Sequence, residues 1–147
     1  MFSWFRDPLP VGSPAPPFTA PDQDGPVFVL NLNRNKTVIL IFYPADNTPT
    51  CTKQLCEMRD AWETVQARGG YVAGINPGDA ASHQGFRDKH NLPFPLLVDS
   101  GKRIAKLYNC GGLIVKRTVY VIGKDGKIVY ARRGKPLVEE ILAAFPA

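Results

Sequence analysis

One stretch of the chain has almost no polar position. Residues 37–43 read TVILIFY, mostly β-branched or aromatic. A strand with one wet face would alternate, so this one is expected to be covered on both faces, as in the middle of a parallel or mixed sheet. Before it, Phe18-Thr19-Ala20 and Val27-Phe28-Val29-Leu30 flank Asp24-Gly25, the pattern of a β-hairpin. After it the period changes. Leu55, Met58, Trp62 and Val65 recur every three or four positions, which predicts a helix over 49–68 ended by Gly69-Gly70. Strand-like residues 71–75 and 94–98 then alternate with helix-like residues 79–90 and 101–108. Residues 118–122 and 128–132, joined across Asp125-Gly126, predict a second hairpin, and 137–145 a terminal amphipathic helix. The proline-rich residues 1–17 read as an extended lead-in, with Phe2, Trp4 and Phe5 expected to pack on the rest.

Hairpin, then alternating strands and helices, then hairpin and helix, is most economically an α/β, thioredoxin-like sandwich: a mixed central sheet flanked by helices, with an N-terminal β-hairpin. A chain of 147 residues fits one domain over 1–147. Hydrophobic residues make up 44%, enough for a sizeable core, and the 21% charged share argues against wholesale disorder. The net charge of +5 raises the question of an acidic partner. Its basic residues do not cluster, however, and Lys116-Arg117 and Arg132-Arg133 sit in apolar, strand-like surroundings, so nucleic-acid binding is not expected. No apolar stretch approaches the roughly 18–20 residues that span a bilayer. The N-terminus lacks the pattern of a signal peptide, and the three cysteines are an odd number. Both features point to a reducing, cytoplasmic setting.

The chemistry is concentrated in residues 43–56, YPADNTPTCTKQLC, where the buried strand leads into a helix. Thr48 suits the N-cap and Pro49 the first helical position. Cys51 then falls in the first turn, where unpartnered amides and a positive macrodipole favour thiolate over thiol. Cys56 follows at i+5. On an intact helix the two Cα atoms are turned by about 140° and lie roughly 8–9 Å apart, beyond what a disulfide can bridge. If the pair ever bonds, the first turns of this helix must unwind. Spacing alone leaves other readings open. Two cysteines on a helix are often plain core residues. A zinc site has little support, because the spacing is wrong and His83 and His90 have no obvious fellow ligands. The Cys-x-x-Cys of a dithiol reductase is absent.

The surrounding residues carry a resemblance. Pro44-x-x-x-Thr48-x-x-Cys51 matches the peroxiredoxin active-site motif, and with Cys56 it resembles the bacterioferritin-comigratory, or peroxiredoxin Q, subfamily. The likeness runs from Val11-Gly12 to the C-terminal helix. It includes Arg59-Asp60, Ser82-His83 with Phe86 and Lys89, the segment 91–99 (NLPFPLLVD), and 117–122 (RTVYVI) before Asp125-Gly126. The resemblance implies a thiol peroxidase. Cys51 would be oxidised by hydrogen peroxide or an organic hydroperoxide, and Cys56 would resolve it as a disulfide within the same chain. A thioredoxin-like dithiol reductant would complete the cycle. Thr48 would hydrogen-bond thiolate and peroxide, Pro44 would shield the pocket, and Arg117 would supply a fixed positive charge. No organic or metal cofactor is implied, and a monomer or weak homodimer is expected.

The bland alternatives are a cap for Thr48, a strand end for Pro44 and a surface cation for Arg117. Gln54 and Arg59 read as supporting residues or solvated helix positions, Trp62 and Phe86 as core, and His83 as covering a surface turn. Three features depart from the family's pattern: Ile75-Asn76-Pro77, where a serine-containing turn is usual; Cys110, read as a bystander thiol; and the aromatic N-terminus. The rival of another class is a thioredoxin-fold redox switch or binding module without peroxidase turnover. Two further rivals are a one-cysteine peroxidase in which Cys56 is structural, and an acyl-transfer enzyme, which lacks a histidine base near the motif.

Overall fold

The computed structural model describes residues 7–30 and 36–146. Its elements in chain order are β1 (Thr19–Pro21), β2 (Val27–Val29), β3 (Thr37–Phe42), α1 (Pro49–Asp60), α2 (Trp62–Ala67), β4 (Gly70–Asn76), α3 (Ala80–His90), β5 (Leu96–Val98), α4 (Arg103–Leu107), β6 (Thr118–Ile122), β7 (Ile128–Arg133) and α5 (Val138–Ala143). β1 and β2 form the expected hairpin, with Thr19 opposite Val29. The main sheet has the order β5-β4-β3-β6-β7. β3 runs parallel to β4 and antiparallel to β6, so the unbroken apolar run takes the central place. All six of its residues are buried.

Alternation along this strand builds two cores. Val38, Leu40 and Phe42 face Tyr108, Tyr120 and the hairpin's Phe18 and Phe28. Ile39, Ile41 and Tyr43 face Leu55, Met58, Val65, Phe86 and Ile141 of the helices on the other side. Full burial of such a side chain is worth about 1.5–3 kcal/mol, which is why every position of β3 after Thr37 is apolar. This is the thioredoxin-like sandwich that the element order predicts.

Three local features differ from expectation. The helix over 49–68 is broken at Ala61 (φ −94°, ψ 5°), whose amide is shared between the carbonyls of Glu57 and Met58, each at 3.2 Å. Beyond the break Trp62 packs on Tyr71 and Phe94, with ring centroids at 6.2 and 5.9 Å, and stays partly exposed. The helix over 101–108 starts only at Arg103. Before it lies a 3-10 turn in which Gly101 takes φ 70°, and the buried Asp99 carboxylate accepts the amides of Ile104 and Ala105 at 2.8 and 2.9 Å. The lead-in is not merely extended. Gly12 donates to Ile128 O at 2.7 Å, and Ile128 donates to Ser13 O at 2.9 Å. Phe2, Trp4 and Phe5 lie outside the described residues. Among the described residues, no helix is long and apolar enough to cross a membrane.

Candidate active site

Two neighbouring strands build the site. β3 delivers residues 43–48 and then α1, while Arg117 immediately precedes β6, whose Thr118 is the register partner of Phe42. In the connecting loop Pro44 is half-buried, and Asn47 takes the left-handed conformation (φ 62°) that asparagine tolerates better than most residues. Thr48 has the extended backbone of an N-cap (φ −85°, ψ 150°), and Pro49 is the first helical residue. The threonine hydroxyl does not cap, however. It donates to Ala45 O at 3.1 Å, so the first turn of α1 has no side-chain cap.

Cys51 is the third residue of α1 and is fully buried. The Arg117 guanidinium reaches it across 66 positions of sequence. Nη2 donates to Cys51 Sγ at 3.1 Å, and Nη1 donates to Gln54 Oε1 at 2.9 Å. Arg117 is therefore a bonded cation and not a surface one. Gln54, one turn beyond Cys51, is buried and fixes the other arm of the fork. Cys56 is half-buried in the same unbroken helix, and Cys51, Cys56 and Cys110 are all free thiols. Arg59 does not join this cluster. It donates to His90 O at 2.7 Å and pairs with the exposed Asp60.

Cys110 is buried in the opposite core from Cys51. Its thiol donates to Tyr108 O at 3.2 Å, and burial pushes its pKa up despite the nearby Arg133. No group of three or more His, Cys, Asp and Glu side chains suited to a metal ion occurs among the described residues.

His83 is the main correction. It does not cover a surface turn: it is fully buried, with Nδ1 at 2.6 Å from Asp46 Oδ2 and Nε2 at 3.2 and 3.1 Å from the carbonyls of Asn76 and Leu97. Asp46 also accepts the Tyr43 hydroxyl and the Ser82 hydroxyl, both at 2.7 Å. Burial would lower the histidine pKa, but the Asp46 bond and charge and the two carbonyls carry it above 6.5. Burial likewise works against the carboxylate, yet the bonds from His83, Ser82 and Tyr43 hold Asp46 below 3.8. Tyr43, buried beside that charge, is held well above 10. Neither Asp46 nor Asn76 stood out in the sequence as part of a network. The available signal was the spacing of His83 and Phe86, which puts both on the buried face of α3.

Comparison with known proteins adds the following. The sequence profile of the AhpC/TSA family matches residues 11–131. The chain is 44% identical over 123 residues to a protein of Triticum aestivum named peroxiredoxin Q, chloroplastic, covering 81% of this chain and 57% of that one. It is 40% identical over 131 residues to the protein of the same name from Sedum lineare, covering 85% of this chain and 70% of the other. The chain thus spans little more than half the length of some of the relatives it matches. Among solved structures it resembles the peroxidoxin BcpB of Mycobacterium tuberculosis, with a TM-score of 0.86 at 28% identity, covering 92% of this chain and 96% of that one.

Proposed function

Because this chain belongs to the AhpC/TSA family, in its peroxiredoxin Q branch, we propose that it is a thiol-dependent peroxidase working through Cys51 and Cys56. The observation that carries this reading is the Arg117 Nη2–Cys51 Sγ contact of 3.1 Å, at the first turn of a helix with no side-chain cap. A sulfur that attacks an O–O bond needs to be anionic, with donors ready for the oxygen that leaves.

In the first step the Cys51 thiolate forms an S–O bond with the peroxide. The O–O bond breaks, the sulfur is oxidised to sulfenate, and the peroxide's own proton passes to the departing oxygen, which leaves as water or alcohol; the sulfenate then takes a proton from solvent. The Thr48 hydroxyl spends its own proton on Ala45 O, so its oxygen is left to accept the peroxide O–H. Pro44 shields the pocket, and Arg117 holds the peroxide in line. The Cys56 thiol then condenses with the Cys51 sulfenic acid, losing water and forming the disulfide, after the start of α1 unwinds. A thioredoxin-like dithiol returns both sulfurs to thiols by exchange. This sequence of steps calls on no organic or metal cofactor. We read residues 1–147 as one domain acting as a monomer or weak homodimer. We place it in a reducing compartment such as the cytoplasm, in keeping with its odd number of cysteines.

Stopped-flow mixing of the reduced protein with hydrogen peroxide, following tryptophan fluorescence, tests the scheme. Wild type shows two fast phases; Cys51→Ser loses both, and Cys56→Ser keeps only the first. Wild type reacting no faster than free cysteine sinks the peroxidase reading and leaves a redox switch or binding module. Undiminished turnover of Cys56→Ser with an external thiol makes it a one-cysteine peroxidase.

A further inference from the structure

The buried pair of Asp46 and His83 takes no part in the steps above, yet it is bonded on every side. Nε2 of the ring faces only carbonyl oxygens, those of Asn76 on β4 and Leu97 on β5, so it must carry a proton. Nδ1 faces a carboxylate that already accepts two hydroxyls, from Tyr43 at the end of β3 and Ser82 on α3. The arrangement is satisfied when His83 is an imidazolium donating from both nitrogens to a carboxylate and two carbonyls. The Tyr43 ring is the other titratable group beside it, with centroids 6.5 Å apart. Asn76, where the sequence departs from its family's pattern, closes the circuit: Nδ2 donates to Tyr43 O at 2.8 Å, and Oδ1 accepts Gly78 N at 2.7 Å.

We infer that Asp46 and His83 are positioning residues for the Cys51 reaction: their bonds pin loop 43–48 to β4, β5 and α3 and so set the first turn of α1 beneath Arg117. This rests on the peroxidase reading. Asp46 is two residues from Thr48 and five from Cys51. Between them Asn47 is held left-handed, and Ala45 O is tied to the Thr48 hydroxyl, so displacement of Asp46 is passed along the loop. Arg117 is fixed from the other side, by its place at the start of β6 and by Gly134 N, which donates to its carbonyl at 2.8 Å. The loop is therefore the adjustable partner in the 3.1 Å contact. A misplacement of about 1 Å in a reacting group can cost on the order of 100-fold in rate.

Asp46→Ala removes the anchor. Asp46→Asn keeps its shape: the amide oxygen can accept the Tyr43 hydroxyl, and the amide nitrogen can donate to a neutral His83 that keeps its proton on Nε2. The second-order rate constant of the first peroxide phase is measured for both variants, with ¹⁵N NMR of the histidine rings. Asp46→Ala is expected to slow that phase by roughly 10- to 100-fold, and Asp46→Asn to recover most of the loss. The His83 signals should change from imidazolium in the wild type to the neutral Nε2–H form in Asp46→Asn. Should Asp46→Ala not fold, His83→Gln, which cannot reach Asp46 and both carbonyls at once, takes its place with the same expectation. An unanchored variant reacting within twofold of a fast wild type overturns the inference, as does an Asp46→Asn protein as slow as Asp46→Ala. A slow wild type overturns the peroxidase reading itself.

Discussion

Bonding Cys51 to Cys56 should melt a defined piece of helix. Both residues lie in the continuous helix α1. Five residues of α-helix rise about 7.5 Å and turn about 140°, which separates the two Cα atoms by roughly 8.7 Å. A disulfide tolerates at most about 6.8 Å, so the backbone must close by about 2 Å. That closure is incompatible with the helical bonds that amides 52–56 make, beginning with Thr52 N to Thr48 O at 2.9 Å. Each of these bonds is worth about 1 kcal/mol net, and the released residues regain about 1–2 kcal/mol apiece of backbone entropy. Over these five amides the two terms offset each other, about 5 kcal/mol lost against about 5–10 regained, so the backbone alone gives the start of α1 little resistance to opening. Withdrawing Leu55, which is fully buried, adds about 1.5–3 kcal/mol, a protection of roughly 10- to 150-fold against amide exchange in the reduced protein. Hydrogen exchange read by mass spectrometry, on reduced protein and on protein treated with one equivalent of peroxide, measures this directly. Oxidation should abolish protection over 52–56 and leave β3 and β6 unchanged, with Cys51→Ser indifferent to peroxide. A verified Cys51–Cys56 disulfide with protection of 52–56 intact would refute the reasoning.

Arg117→Met keeps the apolar stem and removes the charged donor. Loss of a hydrogen bond to a charged group costs about 1.5–3 kcal/mol, so the first-phase rate constant should fall about 10- to 150-fold. Arg117→Lys should recover only part, since an ammonium cannot serve Gln54 and Cys51 together; an Arg117→Met rate within twofold of wild type would exclude the assigned role. The Asp46–His83 pair should also shape stability against pH. The histidine pKa is raised in the folded state, so its contribution is complete below 6.5 and lost as pH rises through the folded value. The aspartate pKa is lowered, so its contribution is present above 3.8 and lost as pH falls through the folded value. The stability advantage of wild type over Asp46→Asn, from urea unfolding, should therefore be greatest between 3.8 and 6.5 and shrink on both sides. A difference flat across pH would show that the pair is not ionised as described.

What was legible in the sequence was local in cause. The run 37–43, apolar at every position after Thr37, pointed to a doubly covered strand, and its first six residues became β3. Thr48, Pro49 and Cys51 are read within a single turn, so the start of α1 and the place of the thiol were visible at once. Arg117 was reached through the family's pattern, since no rule of spacing links it to a cysteine 66 positions away. The break at Ala61 was hidden because one non-helical residue barely disturbs a period of three and four. Nothing in the sequence singled out Asp99, because the amides its carboxylate accepts lie five and six residues further on, past a turn. His83 was misplaced because its partner is 37 residues upstream, and only the tertiary fold brings an acid to meet it.

The contact between β3 and β6 also has a consequence for biosynthesis. Translation releases the thiol long before the cation, and domains tend to fold as their segments emerge. A chain interrupted between residues 51 and 117 carries Cys51 but lacks both the guanidinium and β6, one of the strands that flank β3. Such a fragment should meet oxidants as an ordinary exposed cysteine does, slowly and without preference. On the role proposed for Arg117, the reactivity of Cys51 would arise only when the sheet is complete.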